Sequence, residues 1–198
     1  MIMEVFNFIP PMAQDKVKAL LVEYPVEMKV VGKRKTKHGD FRKLPSGRVQ
    51  ITLNEQQNPY RFLITLLHEV GHHVAFINHG FRIQSHGKEW KNCFRSVSVP
   101  FLVEEIFPQP LLSVFAQHLK NPKASSDTDQ QLGLALRAFD PPTHKKAIFE
   151  LPMGMHFSLD NGRVFQKGPQ RRKRFECCEI KTGKTYLFQP NVEVNQMN

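Results

Sequence analysis

Five residues, His68-Glu69-Val70-Gly71-His72, have types and spacing that can do chemistry together. In an α-helix, residues i and i+4 lie one turn apart on one face, so His68 and His72 can aim imidazole nitrogens at one metal ion. Glu69 is offset from His68 by roughly 100°, which lets its carboxylate reach a metal-bound water rather than the metal. Zinc with three protein ligands and one open position lowers the pKa of its water to about 7. Glu69 could then accept a proton as water attacks a peptide carbonyl and hand it to the leaving amine.

The bare pattern also arises by chance, so its surroundings matter. On a helical wheel, Leu63, Leu67, Val70, Val74 and Ile77 form an apolar stripe. Arg61, Thr65, His68, His72, Ala75 and His79 form a stripe on the opposite side. Such a helix buries one face and offers the histidines on the other. A third ligand has to come from elsewhere. His73 points away from the His68/His72 face, and His79 lies nearly two turns beyond. His86 follows a turn containing Gly80 that lets the chain fold back, and it stands in Ser85-His86-Gly87-Lys88-Glu89-Trp90. His86 is the favoured third ligand and Glu89 its rival, since carboxylates also ligate zinc.

The elements that must position these residues follow from period and punctuation. A helix is expected from Met12 to about Glu23, ended by Pro25, and a strand from Val26 to Val31. Lys33 to Asp40 reads as a charged turn or ribbon. Val49, Ile51 and Leu53 alternate with polar residues between Arg48 and Asn54, the signature of a half-buried strand. Asn58-Pro59 opens a long helix running to about Asn78. Further helices are expected at about 88–97, 111–119 and 130–139, with a polar, linker-like stretch at 121–129. Beyond Asp140-Pro141-Pro142, short strands alternate with turn signals such as Asp160-Asn161-Gly162 and Thr182-Gly183-Lys184, a small antiparallel arrangement.

Composition bounds the class. The 198 residues are 40% hydrophobic and 23% charged, ordinary for a globular protein, and the 16 Phe against one Trp foretell a phenylalanine-rich core. No apolar run approaches the ~20 residues of a membrane span, and the N-terminus lacks the pattern of a signal peptide, so a cytoplasmic location is expected. Cys93, Cys177 and Cys178 make a poor disulfide framework. The net charge of +10 is uneven: residues 1–60 carry ten Lys/Arg against six Asp/Glu, 61–143 eight against seven, and 144–198 ten against five. Basic flanks suit a polyanionic partner. The densest basic runs, Lys33-Arg34-Lys35 and Arg171-Arg172-Lys173-Arg174, are candidate DNA contacts, with nearby Phe or Tyr available to stack on unpaired bases. Trp90 and buried Cys93 read as packing residues of the second helix, and His38 and Arg42 as candidates for the cleft border.

Leu67-His68-Glu69-Val70-Gly71-His72, followed by Ser85-His86-Gly87-Lys88-Glu89-Trp90, resembles the SprT-like (SprT/Spartan) zinc metallopeptidase family. So do Ile51-Thr52-Leu53-Asn54 and Tyr60-Arg61-Phe62-Leu63 upstream. The resemblance covers roughly residues 10–120. It implies one Zn2+ held by His68, His72 and His86, with Glu69 as the catalytic carboxylate. It also implies a protein substrate, in some members one crosslinked to DNA. Many such proteins end in a zinc ribbon of two cysteine pairs. Here adjacent Cys177-Cys178 cannot supply one, and the C-terminal segment resembles a metal-free counterpart.

The expected architecture is therefore α+β. A zincin-like helical core with a small β-sheet occupies residues 1–120, a linker with a helix 121–143, and an antiparallel β appendage lacking a zinc ribbon 144–198. The expected function is a zinc metalloendopeptidase hydrolysing peptide bonds by Glu-assisted, zinc-activated water. Its partners would be a protein substrate and DNA, single-stranded or damaged, with no membrane. The alternative is a non-catalytic, zinc-containing DNA-binding or adaptor protein.

Overall fold

The chain divides into two units, Met1–Ala124 with Ala135–Asp140 and Ser125–Leu134 with Pro141–Asn198. The computed structural model describes residues 2–32, 34, 37–55 and 58–197. It is a mixed α and β structure with two sheets.

The first unit opens with α1 (Ile2–Val5) and α2 (Gln14–Glu23), then β1 (Glu27–Val31), β2 (Gly39–Lys43) and β3 (Val49–Asn54). There follow α3 (Pro59–His79), α4 (Lys88–Ser98) and α5 (Leu111–Lys120); α6 (Gln130–Arg137) spans the division of the chain. The three strands lie in the order β1-β3-β2, with β1 parallel and β2 antiparallel to β3. The first core is rich in phenylalanine: Phe62, Phe94, Phe101, Phe107 and Phe115 are all fully buried.

β3 departs from the half-buried strand its alternation predicts. Gln50, Thr52 and Asn54 are as buried as Ile51 and Leu53. As the central strand, β3 covers its polar positions with partners: Gln50 with Glu27 and Arg42, Thr52 with Arg34 and Asp40, and Asn54 with Arg34. β2 supplies two of those partners, which is why its polar residues read as a turn. In a sheet, a satisfied polar face is as buried as an apolar one.

α3 starts where its chemistry dictates. Asn58 Oδ1 accepts the Arg61 N–H at 2.8 Å, Pro59 fills the first turn, and Gly80 (φ 72°) ends the helix. The two-stripe wheel needs correction. Ile77, on the apolar stripe, is 52% exposed, while Thr65 and Ala75, on the other stripe, are buried. α3 is packed on both sides. A Cβ on Gly71 would stand 2.9 Å from the Phe94 Cα in α4, and one on Gly39 of β2 would stand 2.8 Å from Thr65 Cγ2.

The second unit holds β4 (Lys146–Ala147), β5 (His156–Ser158), β6 (Val164–Arg171), β7 (Arg174–Glu179), β8 (Thr185–Phe188) and β9 (Glu193–Gln196). They form one antiparallel sheet in the order β4-β9-β5-β6-β7-β8. Ile148, Leu151, Phe157, Phe165, Cys177 and Val194 make its core. Lys167 is buried beside them; its ammonium donates to the Leu151 carbonyl at 2.5 Å and lies 4.2 Å from the centre of the Phe175 ring.

Candidate metal centre

α3 carries His68 and His72 one turn apart, and the loop from α3 to α4 returns His86 to the same point. The Nε2 atoms of His68 and His86 lie 3.1 Å apart, and those of His72 and His86 3.0 Å. Nitrogens around a tetrahedral zinc stand about 3.3 Å apart, given Zn–N bonds of about 2.0–2.1 Å. Three nitrogens meeting at one point can share protons only pairwise, whereas one divalent cation satisfies all three. The donor set therefore fits zinc. Burial holds all three imidazoles below the usual histidine range, His72 down to about 3, with the neighbouring histidines adding to the effect at His68 and His72. They are neutral at physiological pH, the state a metal requires.

His86 is held in an unusual backbone conformation, φ 59°. The left-handed region is uncommon for residues with a side chain, and such positions concentrate at functional sites. Ser85 Oγ lies 3.3 Å from His86 Nδ1. With Nδ1–H donating there, Nε2 is left with its lone pair toward the other histidines. Trp90 packs the other side. Its ring centre lies 4.6, 5.2 and 4.6 Å from those of His68, His72 and His86, and its indole N–H donates to the His68 carbonyl at 3.4 Å. Trp90 is thus a packing residue, and the rings it packs are the three histidines. The spacing that allows this is set by Gly71, which brings α4 against α3.

Glu69 lies beside the triad. Burial, reinforced by the charge of Asp40, pushes its carboxyl up to about 8, against the pull of the Phe41 backbone N–H that donates to it. Gly39 leaves room for it: a Cβ there would stand 3.0 Å from Glu69 Cγ. A neutral triad beside a raised carboxyl is a place short of positive charge, and a divalent cation would lower the cost of ionising Glu69.

Among the described residues, His68, His72 and His86 form the one group of three or more metal-ligating side chains within reach of a common ion. Glu89 and His79 are outside it. His73, on the far side of α3, places its Nε2 3.1 Å from the Pro25 carbonyl.

Residues 18–108 match the SprT-like family. The matched stretch belongs to that family. The SprT-like segment runs from α2 to beyond α4 and contains His68, Glu69, His72 and His86. No curated protein and no solved structure matches the chain.

The cleft over the three histidines is bordered by Gly39, Asp40 and Phe41 of β2. The flanking His38 and Arg42, which the sequence suggested, do not line it; Arg42 bonds Gln50 instead. Phe41, Phe76 and Phe81 also line the cleft, and sequence reasoning missed them. Phe76, four residues after His72, was detectable by helical spacing; Phe41 and Phe81 carried no signal.

Of the candidate DNA contacts, Lys33 and Lys35 lie outside the described residues. Arg34 is engaged by Asp40, by Thr52 Oγ1 at 3.0 Å and by Asn54 Oδ1 at 2.7 Å. Arg171, Arg172, Lys173 and Arg174 form the tip of the β6–β7 hairpin, all exposed. Arg171 pairs with Glu176 at 3.2 Å. In register Arg171 stands directly opposite Arg174, and Arg172 has φ 55°.

Proposed function

We propose that the protein is a zinc-dependent metalloendopeptidase with a zincin-like core, binding one Zn2+ through His68, His72 and His86. The observation that carries this reading is the convergence of three neutral imidazole nitrogens beside a buried carboxyl, within a SprT-like segment. Zinc, when bound, supplies Lewis-acid polarisation and acidifies water to near-neutral pH. The chain's own groups do the rest. His86 completes the donor set from a loop, so that metal binding ties that loop to α3. Trp90 seals one side against solvent, which strengthens electrostatics in the site. The Phe41 N–H fixes Glu69, which accepts the proton of the attacking water and delivers it to the departing amine.

The test is metal-dependent cleavage of an unfolded protein. Activity should disappear on chelation and return with one equivalent of zinc. Cleavage that ignores the chelator, or zinc-loaded protein that cuts nothing, contradicts the reading; the latter result favours the non-catalytic adaptor.

A nucleic-acid partner is a second proposal, favoured by the hairpin tip. Four consecutive exposed cations, a like-charged pair directly opposite and an arginine in the left-handed region each cost local stability. A polyanionic backbone would repay that cost. DNA affinity should fall linearly in a log–log plot against salt, and a flat plot or absence of binding removes DNA from the account. The substrate would then be a protein associated with or crosslinked to DNA.

A further inference from the structure

Beside the histidines, the cleft has an aromatic wall that proton transfer and metal binding do not require. Phe41 of β2, Phe76 of α3 and Phe81 of the following loop pack on one another. Their ring centres are 5.9 Å apart for Phe41 and Phe76, 6.1 Å for Phe41 and Phe81, and 4.2 Å for Phe76 and Phe81. Ile83 adds to the same lining. The cluster is not a closed core: Phe81 is 49% exposed, and Phe41 and Phe76 are half-buried. It is continuous with the metal centre, since the Phe41 ring lies parallel to that of His72 with centres 6.5 Å apart.

We propose that this wall receives a bulky apolar side chain of the polypeptide substrate, next to the bond that is cut. The protein would then select cleavage sites carrying Phe, Leu or Met at one flanking position. This rests on the metallopeptidase reading. The cleft encloses about 370 Å³, in the size range of pockets that hold a ligand. Successive Cα atoms of a polypeptide are 3.8 Å apart. A chain with one carbonyl at the histidines thus brings an adjacent side chain to the Phe41 ring, 6.5 Å from His72.

The charges select the same occupant. Among the described residues no Lys or Arg lines the cleft, and its carboxylates are Glu69 and Asp40. Asp40 is already paired with Arg34 and Lys37. The three rings themselves offer no group that compensates a buried substrate charge, whereas an apolar side chain gains from each of them. Lys43 sits with its ammonium 5.6 Å from the centre of the Phe81 ring, and it is not among the residues lining the cleft.

Binding and cleavage are read separately. Zinc-loaded Glu69→Gln protein is titrated with blocked alanine pentapeptides whose central residue is Phe, Leu, Asp or Lys, following the emission of Trp90. The Phe and Leu peptides should bind roughly fivefold or more tightly than the charged ones, a modest share of the gain from burying such a side chain. Adding Phe81→Ser should reduce that preference to below about twofold, and Phe81→Leu should restore most of it. Equal affinity for all four peptides, or no binding of any, overturns the pocket. In parallel, wild-type cleavage sites in an unfolded protein are mapped by mass spectrometry. Cleavage without an apolar preference at a fixed flanking position also overturns it. Peptide discrimination without any cleavage leaves the pocket standing and removes the hydrolysis reading.

Discussion

At the residue scale, the three-histidine cluster depends on His86. Its φ of 59° marks a position where most side chains are disfavoured, and its ring nevertheless meets two histidines from another element. Replacing it with alanine should remove zinc binding, measured as metal per chain after dialysis against a weak chelator. Ser85→Ala should keep zinc but bind it about 10-fold more weakly, because the group orienting a ligand is nearly as important as the ligand. Trp90 is the chain's single tryptophan and packs on all three imidazoles, so its emission can follow a zinc titration of the Ser85→Ala variant. The pairing of His68 with His72 was legible in the sequence because helical period alone brings them together. That His86 lies with them was legible only as a preference, since a loop's path is not encoded by period.

At the element scale, close approach decides the geometry. Gly71 lets α4 lie against α3, where a Cβ would stand 2.9 Å from the Phe94 Cα and 3.0 Å from its Cβ. Gly71→Ala should destabilise the first unit by about 1–3 kcal/mol, the usual cost of overpacking, read from urea unfolding. It should also weaken zinc binding, because Trp90 is carried by the displaced helix. The β6–β7 hairpin predicts the opposite sign. Arg172→Gly places the residue best suited to φ 55° in the turn, so stability should rise by up to about 1 kcal/mol while DNA affinity falls. A variant that lost both would show that Arg172 is structural. Helix starts such as Asn58-Pro59 could be read in advance from capping chemistry. β2 could not, because the charged stretch that ends at Asp40 reads as a turn or ribbon until the partners on β3 are known.

At the scale of the whole molecule, the two units differ in what holds them. The first closes around a phenylalanine-rich core and the histidine cluster, the second around a small sheet core. In the second unit, Glu179 is held below the usual carboxylate range by the Arg163 guanidinium at 2.7 Å and the Thr182 hydroxyl at 2.5 Å. Its folded pKa is therefore below the unfolded value of about 4.3, so its stabilising effect is complete above that pH. It is lost as pH falls through the folded pKa. Melting followed between pH 6 and pH 3 should drop less in Glu179→Gln than in the wild type. The uneven charge was visible in the sequence, whereas the placement of four cations on one hairpin tip needed the strand register. The central claim, that Glu69 and the three histidines hydrolyse peptide bonds, is tested most directly by comparing wild type with Glu69→Gln at matched zinc content on an unfolded protein. One zinc per chain is expected in both, with cleavage slower by about 10²–10⁴-fold in the variant. Equal rates in the two proteins, or no cleavage by either with zinc bound, would contradict it.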